Sequence, residues 1–213
     1  MSRKLYAALL PVLAVVAFAA MPAIAQAQPH WYSNGVKIKA GTKEVPNDVQ
    51  VTTTGTLTLH ALKRAIECKV KDKGSIWNPA GGGAGEDEIT EFVNSECKIV
   101  EGAAICTVAT ELEVIALNLP WYTILEVIAG EIRDRIYAEV AGVKKGIEVA
   151  IECKGTVEDV FTGMLTPKIG NSVAEFGTGS GELEDPAKNK ATVTGNDAIK
   201  GPAGDETITA KNP

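Results

Sequence analysis

The sequence predicts an all-β fold, an antiparallel β-sandwich of Greek-key or pseudo-twofold duplicated topology. Three observations lead to this prediction: apolar and polar residues alternate, turn signals recur at short intervals, and an even number of cysteines follows an export signal. Short alternating strands separated by frequent turns are typical of sandwiches, whereas βαβ units need helical stretches between the strands.

The alternation is clearest in the central part of the chain. Residues 51–59 alternate and are rich in β-branched residues, and Ile132 and Ile136 share one face of a predicted strand. Asp134 is the exception on that apolar face. A helix over residues 122–140 is the rival interpretation, because isoleucines recur there every four residues. Gly130 disfavours that helix, so we expect a hairpin bent at Ala129-Gly130.

Residues 1–27 are predicted to be a cleaved signal peptide. Arg3 and Lys4 supply the positive start, and residues 5–20 form an uncharged apolar run. This run is shorter than the ~20 residues that a membrane span needs. Small residues precede the predicted cleavage site after residue 27, and cleavage after Ala25 is the alternative. We therefore expect a protein that is secreted or associated with the cell envelope, and no transmembrane segment in the mature residues 28–213.

Composition and charge exclude several classes of function. The 213 residues are 45% hydrophobic and 23% charged, which is a globular composition. The net charge is −6, and loss of Arg3 and Lys4 with the signal peptide lowers it to −8. Nucleic-acid binding needs a basic face, so we expect no nucleic-acid partner.

The four cysteines are predicted to form two disulfides, as is usual in an oxidising compartment. A turn at Glu101-Gly102 would bring Cys97 to Cys106, and that pairing leaves Cys68 for Cys153. The rival pairing joins Cys68 to Cys97 and Cys106 to Cys153. The cysteine spacings do not suit zinc and only two histidines are present, so no metal or other cofactor is expected.

One short internal sequence repeat suggests duplication of a β unit. Residues 65–69, Ala-Ile-Glu-Cys-Lys, recur without change as residues 150–154. The repeat favours two β units, near residues 30–118 and 119–213, within one mature domain. Two equivalent cysteines near a pseudo-twofold axis would also favour the pairing of Cys68 with Cys153.

Catalysis is not predicted at any position. Nucleophilic hydrolysis needs a histidine base beside the nucleophile, and the two histidines do not suit that role. Glu67, Glu152 and Asp134 are the candidates for a pair of carboxylates that could hydrolyse a polysaccharide. Solvation of the two glutamates and a hydrogen-bonded role for the aspartate are the favoured interpretations. The glycine-rich acidic segment 81–88 is interpreted as a solvated hairpin loop.

Aromatic residues mark the predicted contact face. Trp31 and Tyr32, Trp77, and Trp121 and Tyr122 lie beside turn signals, where exposed rings would stack on sugars or peptides. Packing of these rings into the core, where they would close one end of the sandwich, is the favoured interpretation of the rings themselves, and the contact face is the alternative.

Several motifs, taken in order, resemble a group of secreted β-rich proteins of high-GC Gram-positive bacteria. The resemblance implies export and β structure, and it implies no activity, cofactor or site residue. The motifs are His30-Trp-Tyr-Ser-Asn-Gly35, Gly55-Thr-Leu-Thr-Leu59, Ile66-Glu-Cys68, Asn78-Pro-Ala-Gly-Gly82, Phe92 leading to Cys97, Leu119-Pro-Trp121 and Phe161-Thr-Gly163.

The predicted function is a non-enzymatic binding or structural module outside the cytosol, with carbohydrate or a surface protein as partner. A carboxylate-based hydrolase of envelope polysaccharide and a self-assembling surface subunit are the two alternatives. Unpaired edge strands would support self-assembly.

Overall fold

The structure is a computed structural model that describes residues 28–41 and 48–213. The predicted signal peptide, residues 1–27, lies outside the described residues. The described part contains seventeen strands and no α-helix, and a 3-10 turn spans Ala109–Glu111. The all-β class is therefore confirmed. None of the described residues lies in a helix with the length and hydropathy needed to cross a bilayer.

The strands are numbered in chain order. They are β1 His30–Ser33, β2 Val36–Lys37, β3 Ala40–Gly41, β4 Val49–Ala61, β5 Arg64–Pro79, β6 Glu86–Glu101, β7 Leu112–Leu117, β8 Trp121–Ile128, β9 Glu131–Val140, β10 Val143–Lys145, β11 Ile147–Cys153, β12 Thr156–Leu165, β13 Lys168–Ile169, β14 Val173–Phe176, β15 Gly181–Glu184, β16 Lys190–Lys200 and β17 Ile208–Lys211.

Fourteen strands form one sheet that closes on itself. The order is β14-β13-β9-β8-β6-β5-β4-β16-β15-β12-β11-β7, and β3 and β10 pair with β5 and β9. The sheet closes because β14 also pairs with β16 and β9 also pairs with β12. Strands β17, β1 and β2 form a separate small sheet. Among the described strands, only β3 and β5 pair in parallel.

Both predicted β units contribute to the closed sheet. Strand β4 pairs with β16, β6 pairs with β8, and β7 pairs with β11. Strands on either side of residue 118 are thus direct neighbours. The division near residues 30–118 and 119–213 and the sandwich topology stay predictions.

The predicted hairpin at residues 129 and 130 is confirmed. Strands β8 and β9 pair from Trp121 opposite Ala138 to Ile128 opposite Glu131. Ala129 and Gly130 connect them with φ angles of 52° and 84°. Positive φ at both central residues is the geometry of the two-residue turn that matches strand twist. The repeated isoleucines are therefore spaced along two strands and not along a helix.

Buried apolar side chains form two clusters. The larger cluster contains twenty buried residues, including Leu57, Ile66, Val70, Trp121, Ile136, Phe161 and Val193. The smaller cluster contains Trp31, Ile38, Ile76, Ala84, Leu125, Ile169, Ile199 and Ile208.

The disulfides join Cys68 to Cys97 and Cys106 to Cys153, so the preferred pairing was wrong and its rival is correct. Cys68 on β5 lies across the ladder from Cys97 on β6, with their Cα atoms 4.1 Å apart. The expected hairpin does not form, because β6 continues as a partner of β5 to Glu101. Cys106 then lies beyond the strand and reaches the end of β11, where its Cα is 5.4 Å from that of Cys153.

Candidate functional site

A layer of polar side chains separates the two apolar clusters. In β9, Asp134 lies between Ile136 of the larger cluster and Ile132, which packs against the smaller one. Alternate residues of a strand share a face, so Asp134 points to the same face as both isoleucines. In β8, Thr123 is placed in the same way between Trp121 and Leu125.

The same change from one cluster to the other occurs in three more strands, β5, β16 and β4. In β5, Asp72 follows Val70 of the larger cluster and precedes Ile76 of the smaller one. In β16, Asp197 lies between Val193 and Ile199. Thr53 of β4 and Asp87, near the start of β6, complete the layer. We call these side chains the acid belt: Thr53, Asp72, Asp87, Thr123, Asp134 and Asp197.

Asp72 and Asp197 form the first acid pair of the belt. Thr53 lies opposite Asp72 in the ladder, and its hydroxyl donates a hydrogen bond to Asp72 Oδ2 at 2.9 Å. Burial and the neighbouring Asp197 carboxyl raise the pKa of Asp72 to about 8, although the bond from Thr53 acts in the opposite direction. Burial also raises the pKa of Asp197 to about 7.

Asp87 and Asp134 form the second acid pair, on either side of β8. Asp87 on β6 lies opposite Thr123, and Asp134 on β9 lies opposite Leu125. Burial and the Asp134 carboxyl raise the pKa of Asp87 well above its usual range. Burial raises the pKa of Asp134 too, while its contacts with Asp87 and Thr123 lower it. Such a pair retains one proton between two carboxyls near neutral pH.

The acid belt, apart from Thr123, lines an internal cavity of about 120 Å³. All four aspartates contribute to the wall, and most of the remaining wall is apolar. One oxygen each of Asp72, Asp134 and Asp197 is buried without a hydrogen-bond partner, and so is Nε1 of Trp31. Buried polar atoms are nearly always paired, so these unpaired atoms are an exceptional feature of the cavity wall.

No described lysine, arginine or histidine forms an ion pair with a belt carboxyl. The basic neighbours in sequence are engaged elsewhere. Lys73 pairs with Glu91 at 2.6 Å, and Arg133 pairs with Glu131 at 2.8 Å. Any negative charge on the belt is therefore not compensated by these side chains.

The three tryptophans predicted as surface contacts are buried. Trp31, Trp77 and Trp121 are only 1–3% exposed, which agrees with the favoured interpretation of buried rings and not with an exposed stacking platform. Trp121 Nε1 donates to the carbonyl of Leu117 and to Asn118 Oδ1. Trp121 belongs to the larger apolar cluster and Trp31 to the smaller one, whereas Trp77 Nε1 donates to Glu86 Oε2 at 3.1 Å.

Two of these tryptophans, Trp31 and Trp121, line the cavity, and Trp77 does not. Tyr32 and Tyr122 are half-buried, and the ring of Tyr122 lies 6.2 Å from that of Tyr137. Ligand binding by any of the five predicted aromatic residues stays a prediction.

The predicted carboxylate candidates are not brought together. Glu67 on β5 forms an ion pair with Lys98 at 2.8 Å. Glu152 lies on β11, opposite Glu113 of β7, and β11 is not adjacent to β5. Of the three candidates, Asp134 lies in the cavity wall.

Three members of the belt were not predicted from the sequence: Asp72, Asp87 and Asp197. Asp87 belongs to the segment interpreted as a solvated loop, yet it is 7% exposed at the start of β6. Asp72 is flanked by two lysines, so this segment of the sequence looks like a solvent-exposed, polar part of a strand. The usable signal was its spacing of two residues from Val70, the same signal that singled out Asp134.

The fold and site define a closed all-β protein with an internal cavity crossed by paired carboxyl groups. Comparisons with protein-family models, with curated proteins and with solved structures found no match. Within the described residues, no three histidine, cysteine, aspartate or glutamate side chains converge to hold a metal ion.

Proposed function

We propose that this chain is an exported, non-enzymatic binding protein that holds a small molecule inside its closed sheet. The observation that carries the proposal is the cavity of about 120 Å³, with an apolar wall and unpartnered polar atoms. Small-molecule sites combine these two features, since apolar walls supply affinity and a few polar atoms orient the ligand.

The size of the cavity limits the ligand. An engineered cavity of about 150 Å³ accepts benzene, so a compact molecule of roughly six to ten non-hydrogen atoms is the expected occupant. A carbohydrate chain or a peptide is too large. The proposal therefore replaces the surface-exposed partner with a buried small ligand.

The proposal also includes export of the protein and a two-layered arrangement of its closed sheet. Two disulfides support a protein of an oxidising compartment, secreted or associated with the envelope. In this proposal opposite walls of the closed sheet face each other as two layers, in the sandwich-type arrangement expected from the alternation, and the ligand lies between them.

A hydrolase is the second candidate, and the pair Asp87–Asp134 is the observation that favours it. Two carboxyls that share a proton are a known arrangement for acid–base catalysis. Both residues are at least nine-tenths buried, so the substrate would have to be as small as the ligand proposed above. Turnover of bound ligands would distinguish this candidate from simple binding.

The test is a screen of small aromatic and aliphatic molecules against the purified protein, read by amide chemical shifts. We expect shifts to concentrate in residues that line the cavity. Val193→Phe places a ring in the cavity and should abolish binding, whereas Val157→Phe makes the same change at an exposed position and should not.

The Val193→Phe variant must remain folded for this comparison. Thermal unfolding establishes that, and Val114→Phe offers a second blocked cavity. Binding that survives in both folded variants, or a screen without any cavity binder, contradicts the proposed function.

A further inference from the structure

We propose that the ligand of the cavity is an organic cation, an ammonium group carried on a compact apolar body. This inference rests on the proposed function and specifies the chemical class of the ligand. Three features of the described residues carry it: the uncompensated carboxyls, their unpartnered oxygens and the aromatic part of the wall.

The first feature is the balance of charge. The belt places two pairs of aspartates inside the sheet, and no described basic side chain pairs with them. A pair that keeps one proton still carries one negative charge. A buried charge without a partner is strongly unfavourable. A cation that binds in the cavity would therefore lower the free energy of the ionised belt.

The second feature is the kind of hydrogen-bonding atom left unpaired. One oxygen each of Asp72, Asp134 and Asp197 lacks a donor. These side chains are 6%, 6% and 3% exposed, so bulk water does not reach them freely. An ammonium group has three donors and no acceptor, whereas an alcohol has one donor and a carboxylate has none. The ammonium group matches the unpaired oxygens best.

The third feature is the aromatic wall. Phe92 and Trp121 both line the cavity, and their ring centroids lie 5.2 Å apart. Aromatic faces attract cations, and the attraction increases where water is excluded. Ile136 and Val193 give the same cavity an aliphatic wall that suits the hydrocarbon part of an amine. The wall thus accommodates both parts of the proposed ligand.

The experiment compares matched ligands that differ only in charge. Phenethylamine, 2-phenylethanol and phenylacetate are titrated into the purified protein by calorimetry at pH 7.5, and hexylamine, hexanol and hexanoate form an aliphatic series. Charged hydrogen bonds contribute about 1.5–3 kcal/mol each, so we expect each amine to bind about 10- to 100-fold more tightly than its alcohol. The carboxylates should not bind.

Substitutions locate the effect in the belt. The double variants Asp72→Asn/Asp197→Asn and Asp87→Asn/Asp134→Asn remove the negative charge of one acid pair each at nearly constant volume, and each should weaken amine binding about tenfold or more while leaving the alcohol within about threefold. Asp205→Asn is the matched control, because Asp205 is exposed and does not line the cavity. These variants remove a buried charge, so they should fold at least as well as the parent.

The outcomes separate this inference from the proposed function. If alcohols or carboxylates bind as tightly as amines and Val193→Phe blocks them, the cavity binds ligands but the inference is wrong. If amine binding persists in Asp72→Asn/Asp197→Asn, Asp87→Asn/Asp134→Asn and Val193→Phe alike, the amines bind at the surface and the inference is also wrong. If no compound of any charge enters, the proposed function itself fails.

Discussion

Gly55 on β4 lies directly opposite Asp197 on β16, and the carboxyl of Asp197 occupies the space that a side chain at position 55 would fill. A Cβ atom there would also collide with the backbone carbonyl of Asn196. The absence of a side chain at one position thus lets the opposing carboxyl lie across β4, on the inner face of the sheet. This relationship links the path of the backbone to the acid belt.

Replacing Gly55 should therefore disturb both stability and the site. Gly55→Ala should lower the free energy of unfolding by about 1–3 kcal/mol, because the neighbouring strand must shift. Thermal unfolding measures this change. Gly81→Ala is the control, since a Cβ at Gly81 meets no atom within 4 Å. Equal melting temperatures for the two variants would contradict the close contact.

Stability should decrease as pH rises from about 4 to about 8. The folded pKa values of Asp72 and Asp197, about 8 and about 7, lie above the ordinary value of 3.8. The folded state binds more protons than the unfolded state in this range, so its stabilising contribution is complete below pH 4 and is lost as these carboxyls ionise. Asp87 and Asp134 act in the same direction.

The measurement is the urea midpoint as a function of pH, without added ligand. Asp72→Asn and Asp197→Asn should each flatten the decrease, because the amide does not ionise. Asp205→Asn should leave the slope unchanged. A parent protein whose stability is constant or increases over this range would show that the belt is compensated by other groups.

The disulfide pairing predicts two cross-linked peptides after digestion with trypsin under non-reducing conditions. Residues 65–69 should be joined to residues 74–98, and residues 99–133 to residues 146–154. Mass spectrometry with and without reductant reads this result directly. A link between residues 65–69 and 146–154 would instead support the pairing of Cys68 with Cys153 that the sequence favoured.

Loss of either disulfide should destabilise the protein. The bonds close loops with sequence separations of 29 and 47 residues, so each should contribute roughly 4 kcal/mol to the free energy of unfolding. The double variants Cys68→Ala/Cys97→Ala and Cys106→Ala/Cys153→Ala test the two bonds separately by denaturant unfolding. A variant as stable as the parent would contradict this expectation for its bond.

Asn78 should be essential for attachment of the N-terminal segment. Its side chain is 1% exposed; it accepts a bond from Trp31 N at 2.8 Å and donates to the carbonyls of Trp31 and Ile38 at 3.0 and 2.8 Å. Asn78→Ala removes three hydrogen bonds to buried backbone groups, of which the Trp31 carbonyl keeps a second bond from the Ile38 N–H, and the loss should cost about 2–4 kcal/mol. Thermal unfolding of Asn78→Ala should show that loss, and the exposed Asn171→Ala should not.

Local features of the structure could be predicted well. The turn at Ala129-Gly130 depends on two residues and on the alternation on either side of them, and the hairpin forms there. Asp134 was recognised as inward-facing for the same reason, because its apolar neighbours lie in the same strand. Each of these features requires no knowledge of which strands become neighbours.

Features that depend on distant strands were predicted poorly. The cysteines pair differently from the preferred arrangement because β6 continues along β5 beyond Cys97. For Trp31, Trp77 and Trp121, which lie near turn signals, the sequence left both burial and exposure open, and all three are buried. Turn signals locate the ends of strands, but they do not indicate which face of the strand points inward.

The sequence was sufficient to establish strands, their turns and an even set of cysteines, because these follow from short-range alternation and backbone preferences. It did not indicate that Asp72, Asp87, Asp134 and Asp197, from four strands, would meet at one level of a common interior. Their meeting depends on closure and register, which arise from hydrogen bonds between segments far apart in the chain. Alternation restricts each side chain to one face of its strand, and the partners of that strand determine what the side chain contacts.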